Sequence, residues 1–175
     1  MTRLLAVAAV ALVGAAAFAY VDTASPPWYE RLRYPLAYSS IIRGHARNYD
    51  LDPALIAAVI YQESKFDTEA RSDAGAIGLM QLQPDTARGI ATRTGGSQFR
   101  VKDLYDPEIN VRYGSWYLRH LLNKYGTEDR ALAAYNGGQG NVDRGIVYPE
   151  TRAYVRRVGE LKAIYREAYA SELGQ

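Results

Sequence analysis

Asp52-Pro53-Ala54-Leu55-Ile56-Ala57-Ala58-Val59-Ile60-Tyr61-Gln62-Glu63 is the stretch on which the fold turns. An aspartate before a proline sets an N-cap ahead of the first helical position, where a missing N–H costs nothing. The Ala- and Ile-rich run behind it has no period-two alternation and predicts a helix from Pro53 to about Glu63. Asp106-Pro107 repeats the signal. Behind it Ile109, Tyr113, Trp116, Tyr117 and Leu121 form one stripe, and Gly126 ends the helix. After Pro149, the stripe Val155, Val158, Leu161 and Tyr165 predicts a C-terminal helix, and shorter helices are expected over 38–48, 84–92 and 128–135. Loops are expected over 64–77, 95–102 and 136–148. With no internal repeat and no second domain, the fold class is all-α, compact and interrupted by loops.

Composition narrows the chemistry. The chain has 175 residues, room for one domain, and 48% hydrophobic content excludes a wholly disordered chain. A net charge of +2 suits an acidic polymer or surface and gives no argument for nucleic acid. The absence of Cys removes disulfides, thiolate metal sites and Cys nucleophiles. Two histidines are too few for a multi-histidine metal site. His120, on the Trp116 stripe, reads as a packed or half-exposed core residue, and His45, between Arg43 and Arg47, as part of a solvated face.

Arg3 followed by the uncharged stretch 4–21 has the layout of an export signal, with Ala17-Phe18-Ala19 as a cleavage site. The same stretch is just long enough to cross a bilayer if retained, so residues 1–21 read as either signal peptide or membrane anchor. Residues 22–36, with Ser25-Pro26-Pro27, read as a stiff linker and 37–170 as the folded domain. Tyrosine is the odd count: 15 against 3 Phe and 2 Trp. Tyr20, Tyr29, Tyr34 and Tyr38 cluster where interfacial aromatics would sit beside a membrane.

Glu63 is the foremost candidate for chemistry. On its helix it shares a face with Val59, Ile56 and Leu55, and an apolar neighbourhood raises a carboxyl pKa. A carboxyl that keeps its proton near neutral pH can act as a general acid toward a glycosidic oxygen. The competing reading is a helix-end Glu turned to solvent beside Lys65. In Gly75-Ala76-Ile77-Gly78-Leu79-Met80-Gln81-Leu82, Gln81 offers an amide to a cleft, and Met80 either lines that cleft or belongs to the core. The run Ala134-Tyr135-Asn136-Gly137-Gly138-Gln139-Gly140 places an aromatic and an amide before three glycines. It either borders a sugar or only joins two helices. A phosphate loop is excluded there, because no Lys-Ser or Lys-Thr pair follows.

Together Glu63-Ser64, Ser72, Gly78-Leu79-Met80-Gln81, Ala134-Tyr135-Asn136 and Glu150-Thr151-Arg152-Ala153-Tyr154-Val155 resemble the motifs of the lytic transglycosylases of the soluble Slt type. The resemblance runs from about Ala37 to Tyr165. It implies a lysozyme-like fold, no cofactor and no metal, and peptidoglycan glycan strands as substrate. The bond cut would be the β-1,4 link from N-acetylmuramic acid to N-acetylglucosamine, leaving a 1,6-anhydro end instead of a hydrolysed one. It also implies Glu63 as the single catalytic acid and then base, with Ser64 supporting it. Ser72, Met80, Gln81, Tyr135, Asn136 and Tyr154 would bind substrate. Such an enzyme would work in the cell envelope, secreted or held through residues 4–21. The family's Ala-Gly-Pro-Gly is here Gly137-Gly138-Gln139-Gly140, and the missing proline predicts a looser loop. A hydrolytic muramidase and a non-catalytic wall-binding module are the alternatives.

Overall fold

The structure, a computed structural model, describes residues 12–16, 19–20 and 26–175. It divides into two units, Met1–Pro35 and Leu36–Gln175. In the first, residues 12–16 and 19–20 are helical, and the rest of the 1–21 segment lies outside the described residues. Part of the stretch read as a linker is the helix α1, Pro27–Arg33. Pro27 opens it, Glu30 stands in the first turn and Arg31 and Arg33 in the last, an order that matches the helix dipole. Of the tyrosines read as interfacial, Tyr20 is exposed and Tyr34 is buried. Among the described residues no helix is long and apolar enough to cross a membrane.

The second unit is helical throughout. Its elements are α2 (Ser39–Asn48), α3 (Pro53–Ser64), α4 (Pro84–Thr94), a 3-10 turn (Val101–Tyr105) and α5 (Pro107–Tyr125). They continue with α6 (Glu128–Gly137), α7 (Gln139–Asp143), α8 (Pro149–Ala168) and α9 (Ala170–Leu173). Both Asp-Pro signals act as read. The Asp52 carboxylate accepts from the Ala54 N–H at 2.8 Å, and Asp106 from that of Ile109 at 3.0 Å. Glycines in the left-handed region end α4 and α5 at Gly95 and Gly126.

α3 is the centre of the unit. Every residue from Ala54 to Ile60 is buried, so the helix is apolar all round and not along one stripe. Its main neighbour is α8, which runs antiparallel to it. Asp52 at the start of α3 meets Arg166 and Lys162 late in α8, and Glu63 at the end of α3 meets Tyr154 early in α8. α5 packs on α6, α2 and α4 and completes the shell. Its buried face is turned from the expected stripe. Asn110, Val111, Gly114, Ser115 and Leu118 join Tyr113 and Leu121 inside, while Ile109, Trp116 and Tyr117 are only half-buried.

His45 departs from its sequence reading. It is buried, with Nε2 2.8 Å from Glu108 Oε1, because α2 packs against α5 there and its arginine neighbours face elsewhere. His120 is exposed and lies flat on Trp116, with ring centres 5.3 Å apart.

Between α3 and α4 the chain forms a tight loop closed by two isolated antiparallel bridges, Arg71 to Ile77 and Ile77 to Leu82. Asn110 of α5 anchors it. Fully buried, this side chain donates to the carbonyls of Ile77 at 2.9 Å and Leu104 at 2.7 Å, and accepts from the Met80 N–H at 2.8 Å. Gly78 sits against the same amide at φ +76°, where a Cβ would lie 2.3 Å from both Asn110 Nδ2 and the Leu104 carbonyl. Replacing Asn110 by Ala leaves the buried Met80 N–H and Leu104 carbonyl unpaired, at about 1–3 kcal/mol each, while the Ile77 carbonyl keeps the Leu82 N–H at 3.1 Å. Asn110→Ala and Gly78→Ala are therefore each expected to destabilise the domain by at least about 2 kcal/mol in urea denaturation. Gly140→Ala, in open space at a helical position, should stay within about 0.5 kcal/mol of the parent.

Candidate active site

Glu63 occupies the last turn of α3, and the chain leaves that helix through two successive left-handed residues, Lys65 (φ +53°) and Phe66 (φ +67°). Such a conformation is uncommon away from glycine and turns the backbone sharply back. Lys65 is exposed there, and the Glu63 carboxyl is directed instead to α8, where the Tyr154 hydroxyl donates to Oε1 at 2.7 Å. As a residue Glu63 is only partly shielded, yet desolvation dominates its electrostatics. Burial pushes its pKa from 4.5 up to about 7, and the Tyr154 hydrogen bond, which favours the anion, opposes that rise. Hence the carboxyl holds a proton at mildly acidic pH and sheds it near neutrality.

Two tyrosines frame this carboxyl. Tyr154 is buried, and its phenol is pushed well above its ordinary pKa by burial and by the Glu63 charge. Tyr135, on α6, responds in the same way to burial and to Glu63, and it donates to the Met80 carbonyl at 2.7 Å. Both therefore stay neutral donors across the range in which Glu63 titrates.

The remaining sequence candidates fall into two groups. Ser64, Met80 and Gln81 mainly fix backbone. Ser64 Oγ donates to the Leu79 carbonyl at 2.8 Å and ties the end of α3 to the loop. Gln81 is itself left-handed (φ +47°), and its amide donates to the carbonyls of Gly78 at 2.9 Å and Ala70 at 3.0 Å, holding its own strained turn. The Met80 side chain is fully buried, and a Cβ on Gly114 would lie 2.2 Å from its sulfur. Met80 is thus a core residue whose main chain serves Asn110 and Tyr135, not a lining side chain. The reason is tertiary: a glycine on α5 leaves a socket of its shape.

Ser72 and Asn136 keep more surface. Ser72 is half-buried and braces its turn by accepting from the Ala76 N–H at 3.0 Å. Asn136 is exposed at the end of α6. The glycine loop after it, expected to be loose, contains the short helix α7. Gln139 in that helix accepts from Lys124 Nζ at 3.0 Å, and the Tyr125 hydroxyl bonds Asp143 at 2.8 Å. These contacts tether the segment that lacks the family's proline.

Asn110 is the residue that sequence reasoning missed. Its only signal was a polar side chain on an otherwise apolar helix face, next to the Asp106 cap. The four acids nearest to Glu63 in sequence, Asp67, Glu69, Asp73 and Asp85, are all exposed. Asp67 accepts from the Glu69 N–H at 2.9 Å, and Asp85 pairs with Arg88. Among the described residues no group of three or more His, Cys, Asp or Glu could hold a metal ion.

An all-helical unit with a proton-holding carboxyl at the end of its central helix, answered by a tyrosine from the antiparallel partner, defines a helical domain of the lysozyme-like type. Within that type the chain belongs to the transglycosylase SLT domain family, whose model matches residues 40–156. It is 32% identical over 152 residues to the soluble lytic murein transglycosylase of Salmonella typhimurium, covering 77% of this chain and 24% of the relative. To the transglycosylase of Enterobacteria phage PRD1 it is 35% identical over 123 residues, covering 70% of this chain and 42% of the relative. The X-ray structure of an inactive variant of the lytic transglycosylase Slt from Pseudomonas aeruginosa superposes with a TM-score of 0.75 at 31% identity. That match covers 86% of this chain and 27% of that one. The chain thus spans about a quarter of the soluble relative's length.

Two outcomes follow from the electrostatics. The folded pKa of Glu63 lies above its unfolded value of 4.5, so between 4.5 and about 7 the folded state holds a proton that the unfolded state has lost. Stability contributed below pH 4.5 is therefore lost as pH rises to about 7. Glu63→Gln removes this penalty and should gain stability over the parent at pH 8 relative to pH 4, by up to about 3 kcal/mol, measured by denaturant titration at both pH values. Tyr154→Phe removes the hydrogen bond that favours the anion, and a carbon-detected NMR titration should find Glu63 titrating above its parent value.

Proposed function

We propose that this domain cleaves the β-1,4 bond between N-acetylmuramic acid and N-acetylglucosamine in peptidoglycan without consuming water, leaving 1,6-anhydromuramyl ends. The observation that carries this reading is the desolvated Glu63 carboxyl, with its pKa near 7 and a tyrosine hydroxyl on it. The names of the relatives, lytic murein transglycosylases, support it.

In the first step protonated Glu63 gives its proton to the glycosidic oxygen as the bond to muramyl C1 breaks. The N-acetyl group of the same sugar stabilises C1. In the second step the Glu63 carboxylate takes the proton of the muramyl C6 hydroxyl as that oxygen bonds to C1, which restores the acid. One carboxyl suffices in such a cycle. An ordinary glycosidase needs a second one about 5 Å away, or farther for inversion. The exposure of Asp67, Glu69, Asp73 and Asp85 favours the one-carboxyl scheme. Tyr154 holds the Glu63 oxygen in place and softens the cost of its charge between the two steps. Ser72, Gln81, Tyr135 and Asn136 are assigned to the saccharide on either side of the scissile bond, and Ser64 to fixing the acid's helix end. The substrate places the enzyme in the cell envelope.

Glu63→Gln should slow clearance of purified peptidoglycan roughly 100- to 10,000-fold, as expected for loss of a proton donor. Undiminished clearance would remove Glu63 from the mechanism and favour a wall-binding module. Mass spectrometry of the parent's products should find muropeptides one water lighter than hydrolytic ones, and reducing muramyl ends would identify a muramidase instead. Because the reaction begins from the protonated acid, the rate should fall as pH rises through about 7 and hold steady just below it.

A further inference from the structure

A concavity of about 520 Å³ lies between α6, α8 and the turn after α7. Its floor is aliphatic, made by Ala133, Val142, Val147 and Val155. Three arginines stand around it, Arg130 of α6 and Arg152 and Arg156 of α8, against one acid, Asp129. All four are exposed. Arg152, Val155 and Arg156 follow one helical face of α8, whereas Tyr154, the partner of Glu63, belongs to another. The proposed catalytic steps use none of these residues.

Two of the arginines are held in position. Arg152 donates to the Val147 carbonyl, and Arg130 lies over the Tyr125 ring at 5.7 Å. Apolar exposure gathers at the same place. Within residues 36–175 the exposed large hydrophobics are Ile146 and Tyr148, which flank Val147 on the turn that walls the pocket. The volume falls within the roughly 300–1,000 Å³ typical of ligand pockets. An apolar floor beneath a cationic rim selects an occupant with an apolar side chain between carboxylates, because guanidinium groups pair with carboxylates by two parallel hydrogen bonds. A second copy of this chain would bring three arginines against three across an isologous contact.

We propose that this face docks an acidic segment of a partner protein. An aliphatic or aromatic anchor side chain enters the pocket over Val155, and flanking Asp or Glu side chains pair with Arg130, Arg152 and Arg156. The site is independent of the transglycosylase reading and would stand if that reading failed.

The test is selection of a random displayed-peptide library on the full chain, followed by fluorescence anisotropy with the enriched peptides as labelled probes. Enriched sequences should carry a large apolar residue within two positions of at least two acids. Their affinity should fall at least tenfold in the double variant Arg130→Glu/Arg156→Glu and by a smaller factor in Arg130→Lys/Arg156→Lys, which keeps the charge and loses the two-bond geometry, with peptidoglycan clearance and thermal midpoint unchanged in both. Lack of enrichment, a neutral or basic consensus, or binding indifferent to charge reversal would each overturn the proposal. So would self-association of the chain abolished by the same reversal, or competition for the site by a murein stem peptide at equal concentration, since each names a different occupant.

Discussion

The removal of one carboxyl from water is the constraint around which the helical unit 36–175 is arranged. An isolated glutamate in an apolar setting costs folding energy unless it stays protonated or finds a donor. Glu63 does both: its pKa rises to about 7, and the Tyr154 hydroxyl meets it at 2.7 Å. The expense is tolerated because α3 is anchored elsewhere. At its opposite end Asp52 caps the helix and meets Arg166 and Lys162 of α8. Burial alone would raise the Asp52 carboxyl, yet the Arg166 hydrogen bond and the surrounding charges hold it below its ordinary value. One helix pair thus carries an ionised clasp at one end and a protonatable group at the other.

Asn110 performs the matching task for the loop that faces Glu63. The loop pairs much of its own backbone, Ile77 with Leu82 and Gly78 with Ala70 among others, but its Met80 N–H needs a partner from outside. A single buried amide on α5 meets it, adds a donor to the Ile77 carbonyl, and ties both to the Leu104 carbonyl of the 3-10 turn. Gly78 leaves the space that the amide fills, and Gly114 leaves the socket for Met80. The Met80 carbonyl is then free of the core's demands and receives the Tyr135 hydroxyl. Side chains on three helices are in this way brought to bear on one short backbone segment.

The candidate site was legible in the sequence wherever local rules apply. Asp52-Pro53 and Asp106-Pro107 mark helix starts because capping and proline geometry act within one turn. Gly126 marks a helix end for a comparable reason. Glu63 was readable as a carboxyl on an apolar helix, and Tyr135, Asn136 and Tyr154 through their motifs. Met80, His45 and the buried face of α5 were not, because each depends on which neighbour arrives from far along the chain. The α5 stripe was misread by less than one turn: half-exposed aromatic rings cover the edge of a helix whose true inner face includes Asn110, Gly114 and Ser115. Small and polar residues there look like surface until a loop is laid on them.

The sequence by itself determined the helical class, the bounds of the main helices to within a few residues and the place of one carboxyl at the end of an apolar helix. Propensity, capping and apolar periodicity are properties of contiguous residues. The tertiary structure alone decided what those residues experience. The pKa of Glu63 depends on water excluded by α8 and on a hydroxyl 91 positions away, and the Met80 loop depends on an amide 30 positions away. Desolvation and hydrogen bonding act through space, and only the packed chain places those partners together.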